Sequence, residues 1–223
     1  MPRRALSISH LKASLRRTLP DANIEVVSLP GLEQIRLGLI NADYQTGPLS
    51  PEVMHAVIAH PAYWAFCWGS GLSLARWLLA NPEEVVDQTV LDFGPGSGIV
   101  AIAAAIAGAR EVWACDNDTD ALQASAVNAQ LNGVNLQLVS DLSTAPYADV
   151  LCMADVLYDK ANFGLISLAK TRARRVLIAD SRITDIADSE FSQMYDDESL
   201  TVPNLGEFDE FRNVRLFAWD GRR

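Results

Sequence analysis

The stretch VLDFGPGSG, residues 90–98, constrains the fold more than any other part of the chain. An apolar run followed by Gly94, Gly96 and Gly98 predicts a strand that turns sharply into a helix, because glycine adopts the positive φ that such a turn needs. The next residues, SGIVAIAAAIAGA, have the composition of a buried helix that ends near Gly108. A strand–turn–helix unit of this kind is where α/β proteins bind nucleotide-like ligands.

Apolar runs and helical segments alternate after this turn. Besides TVLDF, further strands are predicted at EVWACD, LQLVSD, ADVLCMAD and RRVLIAD. The tail segments SLTVP and NVRLFAW have no helix between them, so they predict an antiparallel hairpin at one edge. We therefore expect an α/β fold: a Rossmann-like, doubly wound, mostly parallel seven-stranded sheet with an antiparallel edge hairpin.

The chain is predicted to divide near residue 70. Residues 1–70 form an N-terminal helical extension with two extended pieces, and residues 71–223 form the Rossmann-like domain. The extension could act as a lid over the site, with Gly69 and Gly71 as its hinge, or these glycines could form a simple turn.

Composition excludes several classes of protein. The chain is 49% hydrophobic, so a sizeable core is expected and general disorder is not. A formal net charge of −10 argues against a nucleic-acid partner, and no apolar run reaches the ~20 residues that span a bilayer. Three cysteines without a CxxC pair and three histidines favour a reducing compartment and no metal site. We expect a cytoplasmic protein, or a mitochondrial matrix protein if the source is eukaryotic.

Residues 1–20 carry five basic side chains and no acidic one. Such a segment resembles an organelle transit peptide, but its apolar spacing favours an amphipathic helix. The residues on the predicted apolar side are Leu6, Ile8, Leu11, Leu15 and Leu19.

Four predicted strands are closed by an acid: Asp92, Asp116, Asp141 and Asp155. The carboxyl ends of parallel strands meet at the ligand-binding edge, so these carboxyl groups are expected to lie near one another. Asp116 comes about 20 residues after the glycine turn, where an acid accepts hydrogen bonds from ribose hydroxyls.

The glycine turn departs from the dinucleotide fingerprint. Its spacing is G-x-G-x-G instead of G-x-G-x-x-G, and Pro95 removes a backbone N–H that could bind phosphate. Asp92 adds negative charge where a pyrophosphate would lie. The combination favours a cofactor that bears an ammonium group.

The segment VLDFGPGSGIVAIAAAIAGAREVWACDND resembles motif I and the following acidic motif of class I S-adenosylmethionine-dependent methyltransferases. The resemblance implies that S-adenosylmethionine is the cofactor. It implies that the methionine moiety lies by Asp92, above Gly94, Gly96 and Gly98. It further implies a set of residues around the ribose and the adenine, namely Asp116, Asn117, Asp141, Leu142 and Ala154.

The sequence ADVLYD, residues 154–159, resembles the D-x-x-Y/F signature of seven-β-strand protein lysine methyltransferases. This resemblance implies that Asp155 and Tyr158 are catalytic. Asp155 would orient the acceptor amine and hold its outgoing proton, and Tyr158 would line the acceptor channel. A helix cap for Asp155 and ordinary packing for Tyr158 are the alternatives.

Upstream, YWAFCWGSGLSLARWLLANP resembles the segment before motif I in electron transfer flavoprotein β-subunit lysine methyltransferases. That resemblance implies that Trp68 borders the cofactor and that the partner is a lysine-bearing protein, with the flavoprotein β-subunit as a candidate; burial of Trp68 in the core is the alternative. Ser181 replaces a proline common in those relatives, and the last forty residues match less clearly.

Other functions stay open. Within the class, the alternatives are a ribosomal protein L11-type or a small-molecule N-methyltransferase; the former shares the glycine turn, although Trp68 and ADVLYD favour a lysine acceptor. Outside it, the alternatives are an NAD-binding oxidoreductase and a non-catalytic protein that binds cofactor to mediate contacts.

Overall fold

The computed structural model describes residues 6–45, 47–158, 160–206 and 209–221. The helices of eight or more residues are α1 (Ile8–Thr18), α2 (Pro51–Ala59), α3 (Gly69–Ala80), α4 (Ile99–Ile106) and α5 (Thr119–Leu131), and the shorter α6 is Gly164–Lys170. The strands are β1 (Ile24–Leu29), β2 (Leu32–Ile40), β3 (Thr89–Phe93), β4 (Glu111–Cys115), β5 (Gln137–Val139), β6 (Ala148–Ala154), β7 (Ala173–Asp180), β8 (Ser192–Glu198) and β9 (Asn213–Asp220). Among the described residues, no helix combines the length and apolar character needed to cross a membrane.

The predicted sheet is confirmed. Seven strands are ordered β5-β4-β3-β6-β7-β9-β8. The first five are parallel, and β9 is antiparallel to both neighbours. The chain leaves β3 toward one side and returns on the other at β6, so the strand order reverses between these two strands. In open α/β sheets this switch point is where ligands bind.

An antiparallel hairpin lies at the edge of the sheet as predicted, but one of its two strands was predicted in the wrong place. The strand that pairs with β9 is β8, Ser192–Glu198, and SLTVP is not a strand; within it only Val202 forms an isolated bridge, to Cys67. β8 lies at the edge of the sheet and all its side chains are exposed or half-buried. Strands buried on one or both faces show apolar patterns, whereas this edge strand does not, so its sequence lacks the signal.

Helix α1, in the segment predicted to be an N-terminal extension, packs against α5, and the division near residue 70 stays a prediction. Leu11 and Leu15 are 0% exposed and pack in an apolar cluster with Ala124 and Val127 of α5. The amphipathic helix predicted for this segment is therefore confirmed over Ile8–Thr18. The basic residues Arg3 and Arg4 lie outside the described part of the chain. The extension also contains the two-stranded antiparallel sheet β1–β2.

Gly69 and Gly71 do not form a simple turn, and their role as the hinge of a lid stays a prediction. Both are buried in the first turn of α3. A Cβ at Gly69 would lie 2.8 Å from the carbonyl oxygen of Ser199, and one at Gly71 would lie 3.1 Å from Cγ2 of Ile99. These glycines allow α3 to pack closely against its neighbours.

Candidate cofactor and acceptor site

The glycine turn has the predicted backbone geometry. The φ angles of Gly94, Gly96 and Gly98 are +71°, +52° and +84°. A Cβ at Gly98 would lie 2.8 Å from the Cα of Ser125. The position therefore excludes a side chain for two reasons, because its φ is positive and because the backbone of α5 leaves no room. The turn is fixed by hydrogen bonds from the Gly94 N–H to the Cys115 carbonyl (2.9 Å) and from the Gly98 N–H to the Pro95 carbonyl (2.7 Å).

A buried amide on α5, which the sequence analysis missed, holds this turn in place. Asn128 is 0% exposed; its Nδ2 donates to the Ser97 carbonyl at 2.8 Å, and its Oδ1 accepts from the Gly38 N–H at 2.7 Å. The side chain thus ties the turn to β2 of the N-terminal extension. The signal available in the sequence was weak: Asn128 is one of two amides, with Gln130, among the small and apolar residues of ASAVNAQL.

Asp92 lies beneath the turn. It is 1% exposed, and its Oδ2 accepts a hydrogen bond from the Ala101 N–H at 2.9 Å, in the first turn of α4. Burial raises the pKa of Asp92 to about 7. The full negative charge assumed from the sequence is therefore only partly present at neutral pH. A place beside the methionine moiety stays a prediction for this residue, whose observed contact is with the helix.

Asp116 lies directly after β4, as predicted, and is half-buried. Its Oδ1 accepts a hydrogen bond from the Asp118 N–H at 2.9 Å, and burial raises its pKa to about 6. Asp118 is the N-cap of α5, which leaves Asp116 free of that role, and the neighbouring Asn117 is exposed. The geometry is compatible with the predicted contact to a ribose.

The predicted adenine-facing pair differs in exposure. Asp141 is exposed, and hydrogen bonds from Ser143 lower its pKa. Leu142 is 5% exposed and packs in the core cluster that contains Cys115 and Ala145. It can therefore offer an adenine only a small part of its surface.

Asp155 lies just beyond β6, whose last residue is the half-buried Ala154, and has a φ of +53°. Ser70 holds both carboxyl oxygens: its N–H donates to Oδ2 at 3.0 Å and its hydroxyl donates to Oδ1 at 2.6 Å. A guanidinium nitrogen of Arg182 is 3.9 Å from Oδ1. Burial raises the pKa of Asp155 to about 7; the Asp180 carboxyl raises it further, and the Ser70 hydrogen bonds oppose the shift.

Asp155 therefore caps the N-terminus of α3, which was the alternative to its catalytic role. The two roles are compatible, because a carboxylate has about four lone-pair positions and Ser70 occupies two.

Tyr158 and Trp68 are brought together through Tyr63, which the sequence analysis did not select. The Tyr63 ring centroid is 5.9 Å from that of Tyr158 and 5.8 Å from that of Trp68. The indole Nε1 of Trp68 donates to the Tyr63 carbonyl at 2.9 Å. Tyr158 is 51% exposed, and a cavity of about 300 Å³ lies against Tyr63, Phe66 and Trp68. Asp159, the last residue of ADVLYD, lies outside the described residues.

Within the described residues, no group of three or more His, Cys, Asp or Glu side chains is arranged to hold a metal ion. The three cysteines, Cys67, Cys115 and Cys152, are buried and free.

Comparison with known proteins shows which methyltransferases the chain resembles. A sequence model of the family described as "Ribosomal protein L11 methyltransferase (PrmA)" matches residues 77–172. Over 168 residues the chain is 32% identical to the electron transfer flavoprotein beta subunit lysine methyltransferase of Rattus norvegicus and 37% identical to that of Mus musculus. Each match covers 71% of this chain and 66% of the relative, so the chain spans just under two thirds of the length of these relatives.

A solved structure shares the fold. The magnesium protoporphyrin IX methyltransferase of Synechocystis PCC 6803, with bound SAH, superposes with a TM-score of 0.52 at 18% identity, over 80% of this chain and 91% of that one. The chain thus shares the Rossmann-like fold of this methyltransferase, as its sequence predicted. By sequence it is similar to the flavoprotein β-subunit lysine methyltransferases, and its residues 77–172 also match the L11 methyltransferase family model.

Proposed function

We propose that this protein transfers a methyl group from S-adenosylmethionine to a lysine of another protein. The observation that carries the proposal is the meeting of three features at the switch point of the sheet. These are the glycine turn, the anchored carboxyl group of Asp155 and the aromatic group of Tyr63, Trp68 and Tyr158. Relatives at 32% and 37% identity that are named as protein lysine methyltransferases support the same acceptor.

The residues present fit this cofactor. The positive φ angles at the turn leave a cradle without side chains, and the carboxyl of Asp116 is placed to accept hydrogen bonds from ribose hydroxyls. The ionised forms of Asp92 and Asp116 repel a pyrophosphate and attract a cation, and a cation bound beside them would lower the pKa values that burial raises. When bound, the cofactor supplies a methyl group on a positively charged sulfur.

The chain's own residues would position and deprotonate the acceptor. A free lysine has a pKa of about 10.4, so its ammonium must lose a proton before the nitrogen attacks. Asp155 can accept a hydrogen bond from this group and so hold the proton that leaves. Tyr158 and Trp68 present aromatic faces that attract a cation and exclude water. In the transfer, the nitrogen–carbon bond forms as the sulfur–carbon bond breaks in line, so catalysis rests mainly on positioning.

The flavoprotein β-subunit is the first acceptor to test, because the relatives that support a lysine acceptor are named for it. Ribosomal protein L11 is the second, because the family model for its methyltransferase matches residues 77–172. We expect neither a membrane nor a nucleic acid to be the partner.

Cofactor binding is tested first by thermal unfolding. S-adenosylhomocysteine at 100 times its Kd should stabilise the protein by about 2.7 kcal/mol, and NAD should leave the melting temperature unchanged. Asp116→Ala should weaken S-adenosylhomocysteine binding at least about tenfold, because hydrogen bonds to a charged acceptor are lost. Glu111→Ala, at the opposite and exposed end of β4, is the matched control. Stabilisation by NAD alone would refute the methyltransferase assignment.

The acceptor is tested with labelled S-adenosylmethionine and purified candidate proteins, followed by mass spectrometry of the modified peptide. Label on a lysine of either protein identifies the acceptor class. Label that appears only on small molecules of a cell extract would contradict the lysine proposal.

A further inference from the structure

The strongest contact of the predicted catalytic acid is with a residue that no motif selects. Ser70 is 0% exposed and lies in the first turn of α3, 85 residues from Asp155 along the chain. It is the only residue among those described whose backbone and side chain both donate hydrogen bonds to this carboxyl group, at 3.0 and 2.6 Å. Each carboxyl oxygen receives one donor, so the plane of the carboxyl group is fixed.

Ser70 is itself held firmly. Three residues earlier, Cys67 exchanges two backbone hydrogen bonds with Val202, each 2.8 Å long. The intervening Gly69 packs against Ser199 at a distance that leaves no room for a Cβ. The serine therefore belongs to a buried, cross-linked part of the fold, and its donors keep a constant position relative to the end of β6.

The groups that face Asp155 have opposite effects on the ionisation of its carboxyl group. Asp180, at the end of β7, is 0% exposed, and its Oδ2 has no hydrogen-bond partner among the described residues. This carboxyl disfavours a second charge nearby, whereas Arg182 at 3.9 Å favours it. Cys67 is buried, and burial followed by the Asp155 carboxyl raises its thiol pKa, so it stays neutral. Ser70 adds two donors that favour the ionised carboxylate.

We propose that Ser70 is a positioning residue for methyl transfer: it fixes the orientation of the Asp155 carboxylate and favours its charged form, so that the remaining lone pairs face the acceptor amine. The proposal rests on the proposed function. Ser70 acts through Asp155 and does not touch the reacting atoms. Its removal is therefore expected to change how the reaction depends on pH, which loss of a merely structural residue would not do.

The test compares Ser70→Ala with Ser73→Ala, a control on the same helix whose serine is also buried, at 3% exposure. The kcat and the acceptor KM are measured from pH 6 to 9. For Ser70→Ala, kcat near pH 7 should fall roughly fivefold, and the acid limb of the profile should move up by about one pH unit. Activity should recover toward the wild-type value above that limb, and the Kd of S-adenosylhomocysteine should be unchanged. Ser70→Thr, which keeps the hydroxyl, should restore the wild-type profile.

A direct titration separates this proposal from the proposed function. With ¹³C-labelled aspartate, the Asp155 carboxyl signal should titrate at higher pH in Ser70→Ala than in the wild type or Ser73→Ala. This holds whether or not a lysine acceptor has been found. If Ser70→Ala does not fold, Ser70→Cys takes its place, because the thiol has a similar size and donates more weakly; a smaller shift in the same direction is expected. An unchanged Asp155 titration, or a kcat reduced by the same factor at every pH, would overturn the positioning role.

Discussion

Asp92→Asn should stabilise the protein at alkaline pH, with little effect at acid pH. In the folded protein the pKa of Asp92 is raised from 3.8 to about 7 by burial. The unfolded chain loses this proton near its ordinary pKa, so between about pH 4 and pH 7 the folded state binds more protons than the unfolded state. The free energy of unfolding therefore falls as pH rises through this window.

The magnitude follows from the size of the shift. One pKa unit corresponds to about 1.4 kcal/mol, so three units correspond to at most ~4 kcal/mol over the whole window. Between pH 5 and pH 8 we expect roughly 2–3 kcal/mol of this to appear. Asparagine stays neutral at all these pH values, and its carbonyl oxygen can still accept the hydrogen bond from the Ala101 N–H. The variant keeps the hydrogen bond to α4 and loses the negative charge.

The assay is urea unfolding of wild type and variant at pH 5, 6, 7 and 8. The difference in unfolding free energy, variant minus wild type, should increase with pH and level off above pH 7. Asp141→Asn is the control, because Asp141 is exposed and its pKa is lowered instead of raised, so its difference should not increase in this way. A flat difference for Asp92→Asn across the pH series would refute the inference that burial raises the pKa of Asp92.

Two further predictions concern the turn itself. Gly98→Ala should weaken S-adenosylhomocysteine binding and reduce stability by more than the ~1–2 kcal/mol of left-handed strain, because its Cβ would lie 2.8 Å from the backbone of α5. Gly133→Ala, which has a φ of +68° and an open surrounding, should show the strain alone, and equal losses in the two variants would contradict the packing argument. Asn128→Ala leaves the Gly38 N–H and the Ser97 carbonyl without their partner, so urea unfolding should show a loss of roughly 2–4 kcal/mol. A loss below about 1 kcal/mol would mean that water replaces the amide.

The central strands could be predicted because burial leaves a strong mark in the sequence. All residues of β7 from Val176 to Asp180 are buried, and RRVLIAD shows this as an apolar run. The edge strand β8 has the sequence SQMYDDE, whose residues face solvent or are half-buried, and nothing in that composition favours a strand. The more apolar SLTVP was therefore predicted to be the strand. It is an irregular segment that forms one isolated bridge to Cys67.

The same distinction applies to the candidate site, where some features could be predicted from the sequence and others could not. The positions of Asp92, Asp116 and Asp155 could be predicted because topology brings the ends of parallel strands to one edge. Their partners could not, because Ser70 lies 85 residues from Asp155 and nothing in WGSG indicates that contact. Local pattern determines which residues reach the edge, whereas the packing of distant segments determines which hydrogen bonds they make there.

The acidic groups at the ligand-binding edge of the sheet determine what charge of ligand it favours. Asp92, Asp116 and Asp155 all have raised pKa values, because each carboxyl is partly or fully withdrawn from water. A positively charged ligand would favour the ionised form of these groups and lower their pKa values, while a pyrophosphate would raise their pKa values further. The charge of Asp92 alone therefore does not determine the preference for a cationic cofactor. That preference comes from the ionised forms of several acids, which a positive charge beside them makes more populated.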